Sequence, residues 1–438
     1  MLYRKIESKI EEHLKSKTKK ILIVDGARQV GKTTSIRQVG KKQFKNFVEI
    51  NMLEDSLFQQ NFENVRSVED FYIQLSIEAA GRLGNKEDTL VFIDEIQAYP
   101  HLLTLLKFLA QDDRFTYIAS GSLLGVALSQ TTSIPMGSIH KIQMYPLDFM
   151  EFLYANGLGQ DVIAFMENQW IQRESLNQSL HDRIMDLFRK YLIVGGLPEV
   201  VASYIEDKDI VKVRTIQNEI REYYATDASK YDKENKLRIR RIYDMIPSYM
   251  ENKKKRIRIT DINNKKGQTY RDYENDFEYL IHAGIALPVR AISNPKFPLM
   301  ESTSKNLIKL YLNDVGLLSS LLFGFNIRAI MDDVSGINLG SVYETVVASE
   351  LMKHGYRLFY YDNRTKGEVD FLIDDYDQLS ALPIEVKSGK DYYVHSALNN
   401  LLTVKDYHIN KGIVVSNHRE VKEDKGVLYL PIYYAMFI

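Results

Sequence analysis

The chain has 438 residues, 45% apolar and 26% charged, with a formal net charge of −1 and no cysteine. That length predicts two to four domains rather than one core. The balanced charge excludes strong attraction of the whole molecule to nucleic acid, and the missing thiols exclude disulfides and thiolate-bound metals. No apolar run approaches the roughly 20 residues that span a bilayer, and no signal-peptide pattern opens the chain. No membrane association is expected, and a cytoplasmic address is the default.

Residues 1–20 pattern as a charged amphipathic helix with Ile6, Ile10 and Leu14 along one stripe. Ile21–Asp25 is a short apolar run, the pattern of a strand buried on both faces. It leads into Gly26, Ala27, Arg28, Gln29, Val30, Gly31, Lys32 and Thr33, a complete GxxxxGK[ST] loop, then into Thr34 and a helix-forming stretch. Strand, loop and helix in that order predict a cradle for ATP. Gly26 and Gly31 let the backbone turn its N–H groups inward on the phosphates, and the helix start adds its positive dipole end. Lys32 then reaches the β- and γ-phosphates, and Thr33 becomes a ligand for Mg²⁺.

Phe47–Asn51 reads as a strand and Val68–Leu83 as a helix. Thr89–Asp94 is a second buried strand, ending in Asp94 and Glu95. Asp94 at a strand tip suits the outer sphere of Mg²⁺, and Glu95 suits polarising the water that attacks the γ-phosphate. Phe115–Ser120 is the next strand; Ser120 and Ser122 are both placed to touch the γ-phosphate or that water, and the sequence does not choose between them. Ile139–Tyr145 completes a parallel five-strand sheet.

The stretches GARQVGKTT, FIDEIQ, IASGSLLG, QMYPLDFMEF and, downstream, YLIVGGLPE resemble the AAA-family P-loop ATPases of bacteria and archaea that carry a C-terminal domain of unknown function. The resemblance spans nearly the whole chain and implies ATP hydrolysis. In that family an arginine often follows the position of Met136-Gly137; here it is Ser138, which leaves no candidate arginine finger.

Residues 156–235 are mainly helical by pattern and are expected to form a lid, with Gly195-Gly196 and Pro198 ending one helix. Glu199 and Gly195 are read as a cap and turn. Residues 236–335 predict a winged-helix-like domain, as the resemblance also implies: helix, basic strand Arg256–Ile259, helix, helix Gln268–Ala283, then strands near Ala286–Ala291 and Leu307–Leu312. That last helix carries Asp272, Glu274, Asp276 and Glu278, which phosphates repel. Lys236–Lys266 holds eleven Lys or Arg against three acids, a local net of +8 and a candidate contact for a nucleic-acid backbone.

From residue 336 the pattern is α/β and resembles the restriction-endonuclease-like arrangement. Glu385 and Lys387, two apart on a strand, share a face, and Asp370 lies on the preceding strand. Glu344 falls on the apolar stripe of the helix Gly340–His354, whereas Glu350 falls off it and is expected at the surface. Glu344, Asp370, Glu385 and Lys387 are therefore the candidate metal-dependent nuclease-like site.

The expected fold class is α/β. The expected domains are 1–155 P-loop ATPase, 156–235 helical lid, 236–335 winged-helix-like and 336–438 restriction-endonuclease-like. Two functions fit: an ATPase driving or gating a nucleic-acid transaction, and a nucleotide-controlled switch that docks a protein partner. Intact Lys32, Thr33, Asp94 and Glu95 argue against a degenerate ATP site.

Overall fold

The computed structural model describes residues 2–122, 124, 137–230, 236–251, 255–263, 267–332, 334, 337–363, 365–389 and 391–438. Met136, Lys253, Lys254, Lys265 and Lys266, which enter the readings above, lie outside the described residues. The backbone separates into two compact units, Tyr3–Tyr145 with His282–Gly284, and Pro146–Ile281 with Ile285–Ile438.

The first unit is built on five strands: β1 (Ile21–Asp25), β2 (Asn46–Asn51), β3 (Thr89–Asp94), β4 (Thr116–Gly121) and β5 (Ile139–Gln143). They form a parallel sheet in the order β2-β3-β4-β1-β5. Every residue of β1 and β3 is buried, as a parallel sheet covered on both faces requires. One face packs Ile21, Ile23, Val91 and Ile93 against Phe71, Leu75, Leu102 and Leu106. Strand β4 lies between β1 and β3, so the C-terminal tips of all three come together at one edge. The N-terminal helix covers Lys5–Lys15; Ile6, Ile10 and His13 are its buried positions, while Leu14 is half-buried. The inward stripe turns at 13 because His13 is held by His140, with 3.0 Å between their Nδ1 atoms.

The second unit opens with the helices Phe149–Ala155, Gln160–Gln172, Gln178–Val194, Pro198–Asp207 and Ile210–Lys230. Gly195 and Gly196 are glycines for a packing reason. A Cβ on Gly195 would come 2.1 Å from Asp314 Oδ1, and one on Gly196 2.1 Å from the Leu147 carbonyl. Asp314 accepts the Gly196 N–H at 2.7 Å, and Leu147 donates its N–H to the Gly196 carbonyl at 2.6 Å. Those glycines thus close a structural clasp.

Its eight-stranded sheet contains β6 (Ala286–Ile292), β7 (Thr303–Leu312), β8 (Phe359–Asn363), β9 (Gly367–Asp375), β10 (Ser380–Lys387), β11 (Gly412–Ser416), β12 (Lys422–Asp424) and β13 (Val427–Pro431). Their order is β12-β13-β11-β10-β9-β8-β6-β7. The β6–β7 hairpin, expected as a separate wing, hydrogen-bonds along β8 through β6. It satisfies an edge that the C-terminal strands would otherwise leave open. The division expected between residues 335 and 336 therefore falls within the segments of one sheet.

Two local expectations in this unit are corrected. Arg256–Ile259 is not a strand: Ile259 already opens the helix Ile259–Asn263. The helix expected over Gln268–Ala283 is a 3₁₀ turn, Tyr270–Tyr273, followed by Glu274–His282. Its acids have partners within the unit, Asp276 with Arg238 at 2.5 Å and Glu278 with Arg290 at 2.6 Å.

Candidate active site

The loop after β1 is shaped by contacts a side chain would block. A Cβ on Gly26 would stand 2.3 Å from the Met144 carbonyl oxygen, so only glycine passes there. Gly31 has φ +97° at the start of the helix Lys32–Gln43, a left-handed conformation that glycine adopts without strain. Arg4, buried beneath, donates to the carbonyls of Val30 and Tyr145 at 2.7 Å each and anchors the loop. Nothing in the sequence pattern singled it out.

Lys32 is buried, and its Nζ donates to the Gly26 and Ala27 carbonyls at 2.9 Å each. Burial depresses its pKa, while Glu95, Asp25 and Asp94 oppose that shift. Its ammonium therefore stands near these carboxylates as well as the two loop carbonyls. Thr33 Oγ1 donates to Asp94 Oδ2 at 2.8 Å, and Ser120 donates to the other oxygen of Asp94. Burial raises the Asp94 pKa against these two hydrogen bonds. Ala27 and Val30 are packed inward and Thr34 is exposed.

Glu95 follows directly, at φ +52° and ψ +42°. The Gln97 amide donates to its carboxylate and, at 3.3 Å, to Ser122 Oγ. Arg28 Nε also donates to Ser122 Oγ at 3.3 Å. The two serines that the sequence could not separate thus divide the site, Ser120 serving Asp94 and Ser122 joining Gln97 to Arg28. Gln97 was missed as a site residue; its one signal was being polar two positions beyond Glu95. Ser138 lies at the far end of β1, where its carbonyl accepts the Ile21 N–H at 2.9 Å.

Three family models match successive parts of the chain. Residues 18–153 match an AAA domain, residues 185–327 a domain of unknown function (DUF8612), and residues 339–435 another domain of unknown function (DUF4143). The chain thus carries an AAA domain near its start and a domain of unknown function toward its end. Two uncharacterized proteins of Methanocaldococcus jannaschii are similar to it. One is 24% identical, covering 98% of this chain and 87% of the relative; the other is 24% identical, covering 81% and 72%. Among solved structures, the Walker-type ATPase of Pyrococcus abyssi is 14% identical with a TM-score of 0.44, covering 73% of this chain and 96% of its own. The Aeropyrum pernix ORC1 protein in complex with DNA is 14% identical with a TM-score of 0.31, covering 73% and 93%.

In the C-terminal part of the chain, β9 and β10 pair antiparallel with Phe371 opposite Ile384. That register ends one residue short of Asp370 and Glu385, and Glu385 pairs with Val414 of β11 on its other side. Lys387 Nζ lies 2.8 Å from Glu385 Oε1, while the buried Glu385 Oε2 has no partner. Asp370 Oδ2 accepts the Val386 N–H at 2.9 Å. Glu344, buried on the helix Gly340–Lys353, forms an ion pair with Lys255 and accepts the Tyr311 hydroxyl at 3.0 Å. Lys309, fully buried, pairs with Glu368. Burial and then Asp370 push Glu385 up to about 8 and also raise Glu344, with lysines opposing both.

The four expected residues thus share one electrostatic neighbourhood, but three lysines already answer its carboxylates. Among the described residues, the acids and histidines whose ligand atoms gather within 4.8 Å are Asp148, Glu350 and His354 instead. Glu344, Asp370 and Glu385 are not among that group. Glu350, expected at the surface, is buried; it accepts the Phe149 N–H at 3.1 Å and faces Lys353 at 3.7 Å.

Among the described residues of the basic stretch, five cations face carboxylates. Arg256 faces Asp362 at 3.4 Å, Arg240 faces Glu222 at 3.0 Å, and Arg258 faces Asp261 at 3.7 Å, beside the Lys255–Glu344 and Arg238–Asp276 pairs. Among the described residues, no helix is long and apolar enough to cross a membrane.

Proposed function

We propose that this chain binds Mg-ATP on the loop Gly26–Thr33 and hydrolyses it with Glu95. The carrying observation is the convergence of Lys32, Thr33, Asp94 and Glu95 at one sheet edge, with Thr33 and Asp94 joined at 2.8 Å. A hydroxyl and a carboxylate are hard oxygen donors and fit Mg²⁺, which would neutralise charge on the phosphate oxygens. Lys32 holds the β- and γ-phosphates. Glu95 takes a proton from the water whose oxygen bonds to the γ-phosphorus as its bond to the leaving oxygen of ADP breaks. Glu95→Gln tests this: ATP stays bound while turnover stops, and parental turnover in that variant would sink the assignment.

The wider role follows the same cycle: hydrolysis drives or gates a nucleic-acid-related transaction. A specific observation favours the second reading, a nucleotide-controlled switch that docks a protein partner. Cations of the basic stretch at Arg238, Arg240, Lys255, Arg256 and Arg258 already face carboxylates. ATP turnover measured with single-stranded DNA, duplex DNA and RNA separates the two. Stimulation that falls steeply with salt supports the first, and indifference to all three supports the second.

A further inference from the structure

Gln97 is only 6% exposed, and a polar side chain is stable at such depth when its amide is hydrogen-bonded. Which end of that amide is nitrogen follows from its neighbour: an ionised carboxylate only accepts, so the end facing Glu95 is the donor. The same nitrogen reaches Ser122 Oγ at 3.3 Å. The other end, Oε1, is buried without a partner, over Gly121, where an added Cβ would come 2.4 Å from it. An amide with one end unsatisfied is kept in place by what its nitrogen holds and by the glycine that admits it.

What it holds is in an unusual conformation. Glu95 has φ +52°, a left-handed backbone that non-glycine residues keep only where their surroundings determine it. Ser122 also accepts from Arg28 Nε at 3.3 Å, and Arg28 belongs to the phosphate loop. A chain of hydrogen-bonding side chains therefore runs Glu95–Gln97–Ser122–Arg28, from the tip of β3 across the tip of β4 to the loop.

We propose that Gln97 is the positioning residue for Glu95, and that the Ser122–Arg28 link makes this position depend on phosphate in the loop. The proposal rests on ATP hydrolysis at this site. Proton transfer needs the base at a fixed place relative to the attacking water, and a carboxylate one residue past a strand end is not fixed by the strand alone. Phosphate is a stronger acceptor for a guanidinium than a hydroxyl is, so phosphate draws Arg28 from Ser122. Ser122 then keeps Gln97 as its partner, and the occupancy of the loop is felt at Glu95.

The test is Gln97→Met, which keeps the volume and removes the donor, with Gln97→Ala beside it. The expected result is a kcat lowered about tenfold or more, with KM and ATP affinity within about threefold of the parent and an unchanged melting temperature. Combined with Arg28→Ala, the effects on kcat are non-additive. Parental kcat in Gln97→Met overturns the positioning role, and additive effects with Arg28→Ala overturn the link to the loop. A parent without Glu95-dependent turnover overturns the hydrolysis reading and this proposal together. Turnover that Glu95→Gln abolishes and Gln97→Met leaves intact overturns this proposal alone.

Discussion

Thr33 Oγ1 and Asp94 Oδ2 lie 2.8 Å apart although 61 positions separate the residues in the chain. Thr33 is the first hydroxyl after Lys32, and Asp94 ends a strand buried throughout, so each oxygen is delivered by rigid backbone. Thr33→Ala removes one of two hard donors while leaving the phosphate cradle intact. The gain in ATP affinity on adding Mg²⁺ should shrink by about tenfold, roughly 1.4 kcal/mol. Titrations with Mg²⁺ and with EDTA check it; an undiminished Mg²⁺ effect would make Thr33 an ordinary helix residue.

Lys32 sits within the loop, its Nζ bonded to two backbone carbonyls. Lys32→Ala leaves the phosphates without their ammonium, and ATP affinity should fall by about 100-fold or more, on the order of 3 kcal/mol. Calorimetric titration reads this directly. Affinity within a few-fold of the parent would place the phosphates elsewhere.

The strands of the first unit were legible because β1 and β3 are continuous apolar runs, and the loop because its chemistry is local in sequence. Gln97 and Arg4 were not, since their roles arise from contacts with Glu95, Val30 and Tyr145 that no spacing encodes. The +8 count of Lys236–Lys266 is local to that window and could not include Glu344, Asp362, Asp276 and Glu222, which face Lys255, Arg256, Arg238 and Arg240 from outside it. Glu350 was misplaced by assuming one inward face. Every residue from Ser341 to Leu351 is buried, so the helix there has no solvent side to receive it. The hairpin β6–β7 was found, but its partner β8 lies more than 40 residues on, and pairing at that distance leaves no local pattern.

Lys255 and Glu344 form an ion pair at side-chain exposures of 16% and 5%. Removing one partner strands a buried charge, so Lys255→Met should destabilise the chain by about 3 kcal/mol. Lys255→Met combined with Glu344→Gln removes both charges and should recover most of that loss. Urea unfolding followed by tryptophan emission measures it. A single variant as stable as the parent would mean that water or another lysine compensates Glu344.

Glu385 gives the second unit a pH dependence of defined sign. Burial, and then Asp370, push its carboxyl from the ordinary 4.5 up to about 8, while Lys387 opposes the shift. Between those values the folded chain retains a proton that the unfolded chain has released. Folding stability contributed by this group therefore falls as pH rises through that window and is level on either side of it. Glu385→Gln keeps an oxygen for Lys387, resembles the protonated acid in shape, and does not titrate. The thermal midpoint of the variant should match or trail that of the parent at about pH 5, where the parent is protonated already. By about pH 9 it should exceed the parent, because only the parent then holds a buried carboxylate. A difference that stays level across this range would show that Lys387 keeps Glu385 ionised throughout, and the raised carboxyl would be refuted.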